Sequence, residues 1–179
     1  RLKKTVVLVG MMGAGKTAVG KALAARLGVP FLDSDAEIEQ AAAMSIAEIF
    51  ARDGEVFFRA RETQVIDRLL DGQSGILSTG GGAFLSEKNR NLISDKGISV
   101  WLKADLSLLW NRVKHKNTRP LLHTSDPYET LRALYEARVP IYSMADLSVE
   151  ARSDYSIETM ASKVRDALAQ RPDVLEAKP

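Results

Sequence analysis

The sequence predicts an α/β protein: a parallel sheet of about five strands covered on both faces by helices. Three observations predict it. Short β-branched or apolar runs alternate with longer segments of 3.6-residue period. The chain has 179 residues, 45% hydrophobic and 27% charged, ordinary values for one globular unit. No interior stretch is rich enough in Pro, Gly or Ser to mark a domain boundary, and no internal repeat is visible.

The elements follow in order. Thr5–Val9 is β-branched, ends at Gly10 and reads as a buried strand. Lys16–Leu27 has apolar residues at 19, 23 and 27 and stops at Gly28, so it reads as a helix. Phe31-Leu32 is a short strand after Pro30. Asp35–Ala43 and Ile46–Leu70 are helices, the second capped by Ser45. Ile76–Thr79 is a strand running into Gly80-Gly81-Gly82. Ser86–Asp95 is a helix with a Ser/Glu capping-box pattern. Ile98–Leu102 is a strand and Leu106–Val113 a helix. Lys114–Ser125 has no periodicity and reads as a mobile loop. Asp126-Pro127 opens a helix that runs to about Arg138, where Pro140 kinks or ends it. Leu147–Glu150 is the last strand, Ser156–Ala169 the last helix, and Arg171–Pro179 a frayed tail.

Composition removes whole classes of function. Lys and Arg total 25 against 23 Asp and Glu, a net charge of +2, so bulk charge does not wrap nucleic acid. There is no Cys, hence no disulfide framework, thiolate nucleophile or cysteine zinc site. Two histidines, His115 and His123, make a histidine metal cage improbable. No run approaches the ~18 apolar residues of a membrane span, and Val6–Val9 is too short for a signal-peptide core. A cytoplasmic location is the plain expectation. The chain begins at Arg1 rather than Met, which suggests that a few residues precede it.

Six stretches carry chemistry. Gly10-Met11-Met12-Gly13-Ala14-Gly15-Lys16-Thr17 fits G-x-x-x-x-G-K-[ST] between a predicted strand and a predicted helix. Its glycines let backbone N–H groups turn inward around phosphate, and the helix N-terminus adds a favourable dipole. Lys16 suits the β- and γ-phosphates, and Thr17 suits Mg²⁺. Asp33-Ser34-Asp35 stands at the carboxyl end of a strand, where α/β sheets bind ligands. The two carboxylates can divide the work, one serving a metal and the other a hydroxyl. Capping of the next helix by Ser34 or Asp35 explains the pair equally well. Ser78-Thr79-Gly80-Gly81-Gly82 allows close approach to backbone, or is merely a turn. Phe57-Phe58-Arg59 with Glu62 puts opposite charges three residues apart on one helix face, either beside a pocket or as a surface salt bridge. Thr118-Arg119-Pro120-Leu121-Leu122 could deliver Arg119 to a transferring phosphoryl group or leave it solvated. Arg138 in Arg138-Val139-Pro140-Ile141-Tyr142 could simply balance a helix dipole.

In this order and spacing the six pieces resemble the shikimate kinase family, among the nucleoside monophosphate kinase-like P-loop proteins. The resemblance rests on the phosphate loop, the D-x-D, Asp53-Gly54-Glu55 through Glu62, the glycine triplet, the R-P-L-L and the R-x-P-x-Y. It implies a three-layer α/β/α P-loop kinase fold with a five-stranded parallel sheet in order 2-3-1-4-5. Residues 1–170 would form a single domain, with a substrate-binding helical region at about 33–62 and a lid at about 113–126, and residues 171–179 a tail.

The resemblance also assigns roles. Gly13, Ala14, Gly15, Lys16, Thr17 and Ala18 would hold the ATP phosphates, with Thr17 and Asp33 on Mg²⁺. Asp35 would bind the ring hydroxyls of shikimate, including the acceptor. Arg59 and Arg138 would hold the carboxylate, and Gly80, Gly81 and Gly82 would line the ring. Arg119 would close over the phosphates, Arg112 would lie against adenine, and the Arg152 segment would close the adenine pocket. Lys16, Asp35 and Arg119 are the catalytic candidates. The partners implied are shikimate and ATP, with no nucleic acid and no membrane, for a monomer.

Two other readings compete. One is another small-metabolite or nucleotide kinase of the same fold, such as a gluconate kinase. A nucleotide acceptor favours Arg clusters over Asp35, and gluconate needs no combined D-x-D, glycine triplet and Arg59/Arg138 set. The other is a non-catalytic ligand-sensing module, which would be expected to have lost Lys16, Asp33, Asp35 or Arg119; all four are present.

Overall fold

Thr5-Val6-Val7-Leu8-Val9 has no polar face, and it forms the central strand of the sheet, β1, buried along its whole length. The computed structural model describes residues 1–114 and 124–176. After β1 come α1 (Lys16–Leu27), β2 (Phe31–Asp33), α2 (Ser34–Ala42), α3 (Ile46–Leu70) and β3 (Ile76–Ser78). A 3₁₀ turn, Ala83–Leu85, leads to α4 (Glu87–Lys96), β4 (Gly97–Lys103) and α5 (Leu106–Val113). The described chain resumes before α6 (Pro127–Tyr142), β5 (Leu147–Glu150) and α7 (Ile157–Ala169).

All strand pairs are parallel and the order is β2-β3-β1-β4-β5, as the resemblance implies. Val7 pairs with Leu77 on one side and Ser99 on the other. This register brings the carboxyl ends of β1, β2 and β3 to one edge, the edge that carries the glycine loop, Asp33 and the glycine triplet. The main core packs the sheet against α1, α3, α4, α5, α6 and α7. Ile38, Ile49, Phe58 and Val65 form a separate small cluster between α2 and α3.

Four local expectations are corrected. First, α2 starts at Ser34 and its cap is Asp33, whose Oδ1 accepts from the N–H groups of Asp35 (2.9 Å) and Ala36 (3.2 Å). Ser34 is buried and its hydroxyl finds no partner among the described residues, so it is not the cap. Asp35 therefore projects from a first helical turn rather than from extended chain. Second, α4 has no capping box. Glu87 directly follows the Ser86 cap, and the third helical residue is Asn89, whose side chain donates to the Ala83 carbonyl (2.9 Å). The box forms instead at Ser45 and Glu48.

Third, α6 passes through Pro140 to Tyr142. Near a helix end a proline costs only its own missing N–H bond and some crowding, and Ser143 closes the end by donating to the carbonyl of Val139 (2.9 Å). Fourth, the tail is tied down through Glu176. Leu175 bridges to Leu2, Lys3 N–H donates to the Val174 carbonyl (2.7 Å), and Glu176 N–H donates to the Arg1 carbonyl (2.9 Å). Val174 is fully buried. The expected loop Lys114–Ser125 lies mostly, and Arg119 wholly, outside the described residues.

Candidate active site

The glycine loop leaves β1 and turns directly into α1. Gly13 (φ 82°) and Gly15 (φ 94°) take left-handed conformations, and Gly15 is the residue that starts the helix. A side chain at Gly13 would also meet Val113 Cγ1 at 2.8 Å. Lys16 folds back over the loop, its Nζ donating to the carbonyls of Gly10 (2.5 Å) and Met11 (3.2 Å). Arg112 on α5 donates to the Gly13 carbonyl (3.0 Å), and burial pulls its guanidinium pKa down. Together these residues wall a cleft of ≈ 480 Å³ that also touches Tyr155 and Met160. Residues 13 to 18 all line it.

Arg152 does not line that cleft. Its guanidinium lies 3.6 Å from Glu150 and 5.9 Å from the Tyr155 ring. Within the same segment, Tyr155 and the start of α7 do line the cleft. An aromatic residue five positions before an amphipathic helix residue gave no distinguishing signal in the sequence.

Thr17 and Asp33 stand at the mouths of α1 and β2. Asp33 spends Oδ1 on the cap, and among the described residues Oδ2 takes no hydrogen bond. One hydroxyl plus one free carboxylate oxygen suits Mg²⁺, which takes few protein ligands beside phosphate and water.

A second cluster lies beyond β3, on the glycine triplet. A Cβ at Gly80 would fall 2.7 and 2.8 Å from the two carboxylate oxygens of Asp35. At Gly81 it would fall 3.1 Å from Arg138 Nη1, and at Gly82 2.6 Å from Arg59 Nη2. Three successive glycines thus each hold one charged side chain against bare backbone. Those side chains come from α2, α6 and α3. The structure therefore brings Asp35, Arg59 and Arg138 together, and the reading of the triplet as a mere turn is set aside.

Glu62 settles the choice for Arg59. It is 1% exposed and accepts from Arg59 Nη1 at 3.0 Å, so the pair is not a surface salt bridge. Burial raises the Glu62 carboxyl, and Arg59 opposes that rise. The two phenylalanines divide: Phe58 packs on Phe50 (ring centroids 4.7 Å), whereas Phe57 is 40% exposed. Asp35 is the outstanding titrating group. Burial, then the neighbouring Asp33, push its carboxyl up to about 6, and Lys16 pulls the other way. A carboxyl poised near neutrality beside two cations suits a hydroxyl that must surrender a proton.

Sequence reasoning did not give Tyr142 a role. Its hydroxyl donates to the Gly81 carbonyl at 2.7 Å, and its ring lies 6.2 Å from Trp101. The i, i+4 spacing from Arg138 was a signal, but only for a helix carried through Pro140.

Comparison with known proteins shows the family. A family model described as shikimate kinase matches residues 12–169. A shikimate kinase of Ruegeria pomeroyi is 71% identical over 98% of this chain and 90% of its own length. One from Cereibacter sphaeroides is 68% identical over 98% and 88%. Among solved structures, shikimate kinase from Acinetobacter baumannii in complex with shikimate superposes with a TM-score of 0.86 at 39% identity, covering 93% of both chains. A gluconokinase from Sinorhizobium meliloti 1021 reaches a TM-score of 0.60 at 22% identity, a likeness of fold alone.

Proposed function

The chain belongs to the shikimate kinase family, and we propose that it transfers the γ-phosphoryl group of ATP to the 3-hydroxyl of shikimate. The products would be ADP and shikimate 3-phosphate, on the route to chorismate and the aromatic amino acids. The observation that carries this reading is the glycine triplet with Asp35, Arg138 and Arg59 on successive residues. Shikimate has one carboxylate and three neighbouring hydroxyls. Two guanidinium groups match the first, since planar N–H pairs fit a carboxylate in a fork. Asp35 accepts from the hydroxyls.

The division of labour follows from position. Gly13 to Ala18 offer backbone N–H groups and the α1 N-terminus to the ATP phosphates. Lys16 exchanges its loop carbonyls for phosphate oxygens. Thr17 and Asp33 would hold Mg²⁺, which when bound neutralises phosphate charge. Asp35 orients the acceptor hydroxyl and takes its proton. Arg112 borders the nucleotide cleft, and Arg119 is assigned to the phosphates from its sequence context alone. A loose transition state asks mainly for alignment and charge neutralisation, which these groups supply. The monomeric state, the cytoplasmic location and the single-domain division at residue 170 belong to the same proposal.

A coupled assay tests it. ADP release with Mg·ATP should rise on adding shikimate, with a new phosphate ester visible by ³¹P NMR. Stimulation by gluconate or a nucleoside monophosphate, with none by shikimate, would overturn it.

A further inference from the structure

We infer that Tyr142 is a positioning residue of the acceptor site, its hydroxyl fixing the glycine triplet under Arg138. This rests on the reading of that cluster as the shikimate site. The three triplet carbonyls are treated differently. Those of Gly80 and Gly82 are taken by the turn itself, from the N–H groups of Ala83 (3.1 Å) and Leu85 (3.2 Å). The Gly81 carbonyl is taken by Tyr142 at 2.7 Å, from a helix 61 residues away. Glycine backbone has no side chain to anchor it and is otherwise free to rotate. This bond ties the triplet to α6.

The same helix supplies Arg138, one turn earlier. Arg138 Nη1 sits against Gly81 itself, 3.1 Å from where a Cβ would be, and its charge acts on the Tyr142 hydroxyl. One hydroxyl thus serves the backbone plate and stands beside the guanidinium that lies on it. Tyr142 is 1% exposed and its ring rests near Trp101 on β4, so the phenol has no freedom to drift. Arg138 and Gly81 keep their spacing because both are referred to this point.

Tyr142→Phe removes the hydroxyl and keeps the ring. Losing one buried hydrogen bond to a binding plate should raise the shikimate KM about five- to tenfold. The ATP KM should stay within about twofold, because the nucleotide cleft does not touch Tyr142, and an unchanged value also reports an intact fold. As a second variant, Tyr142→Leu should raise the shikimate KM at least as far and lower Tm as well. A Tyr142→Phe enzyme with unchanged shikimate KM overturns the inference. So does one whose two KM values rise together with a lower Tm, which would make the hydroxyl a plain stability element. If the wild-type enzyme shows no shikimate-dependent turnover, it is the functional reading that fails.

Discussion

Asp35 should destabilise the protein that needs it. Its carboxyl rises from 3.8 to about 6, chiefly because burial penalises the charge. The native state therefore holds a proton that the unfolded state releases. Stability falls as pH climbs from about 4 through 6, and the loss is complete above 6. At about 1.4 kcal/mol per pKa unit the full cost is roughly 3 kcal/mol. Asp35 is half-buried, so solvent screening cuts this to about 1–2 kcal/mol. Asp35→Asn keeps the shape and removes the charge. In this size range one kcal/mol moves Tm by about 2–4 °C. The ligand-free variant should therefore melt about 2–8 °C above wild type at pH 8, and the gap should shrink to less than half at pH 4.5. Its turnover should fall at least a hundredfold, in line with the loss of a proton acceptor. Scanning calorimetry at the two pH values reads the first effect and the coupled assay the second. A gap of equal size at both pH values, or a less stable variant at pH 8, would refute the argument that buried charge is the cause.

The other substitutions separate binding from turnover. Gly80→Ala drives a methyl into the Asp35 carboxylate and should depress kcat, whereas Gly82→Ala drives it into the Arg59 guanidinium and should raise the shikimate KM; steady-state kinetics showing the same defect in both would contradict the pairing. Arg59→Ala should raise the shikimate KM about a hundredfold, leave the ATP KM unchanged, and cost about 2 kcal/mol by stranding buried Glu62. Adding Glu62→Gln should restore Tm but not shikimate affinity, and restoration of both would remove Arg59 from the carboxylate site. Truncation after Gln170 loses the buried Val174 and its backbone bonds to the N-terminus, which should cost about 3 kcal/mol of stability. Urea melts measure that loss, and a shift below about 1 kcal/mol would restore the frayed-tail reading.

The sheet was legible because strands of a parallel sheet are buried on both faces and read as unbroken apolar runs, as Thr5–Val9 does. The phosphate loop was legible because its chemistry is local: strand, glycines, lysine and helix follow one another in the chain. The acceptor cluster was legible only in pieces. Asp35, Arg59, Gly81 and Arg138 are far apart in sequence, and each alone had an ordinary explanation; the resemblance joined them before geometry did. What stayed hidden depended on tertiary contact. Burial of Glu62 cannot be read from an i, i+3 spacing that surface pairs share. Val174 is buried because the first residues of the chain reach across to it, a long-range pairing without local signature. At Pro140 a local rule gave the wrong boundary, since the helix had less than one turn left to run.

The +2 net charge hides an arrangement that depends on balance rather than on surplus. Lys16 and Arg112 lie against loop carbonyls, Arg59 against Glu62, and Arg138 against the triplet and Tyr142. These four cations, all among the described residues, are therefore in contact before any substrate arrives, and long side chains held this way have already lost much of their rotamer freedom. Binding an anion exchanges one partner for another instead of ordering a loose chain, so less of the interaction energy is consumed on association. The glycine triplet serves the same end at the acceptor side. Any larger residue would push Asp35 or Arg59 away from the backbone by the width of a methyl group. An error of that size near the reacting atoms costs about a hundredfold in rate, more than any one of these glycines costs in chain entropy.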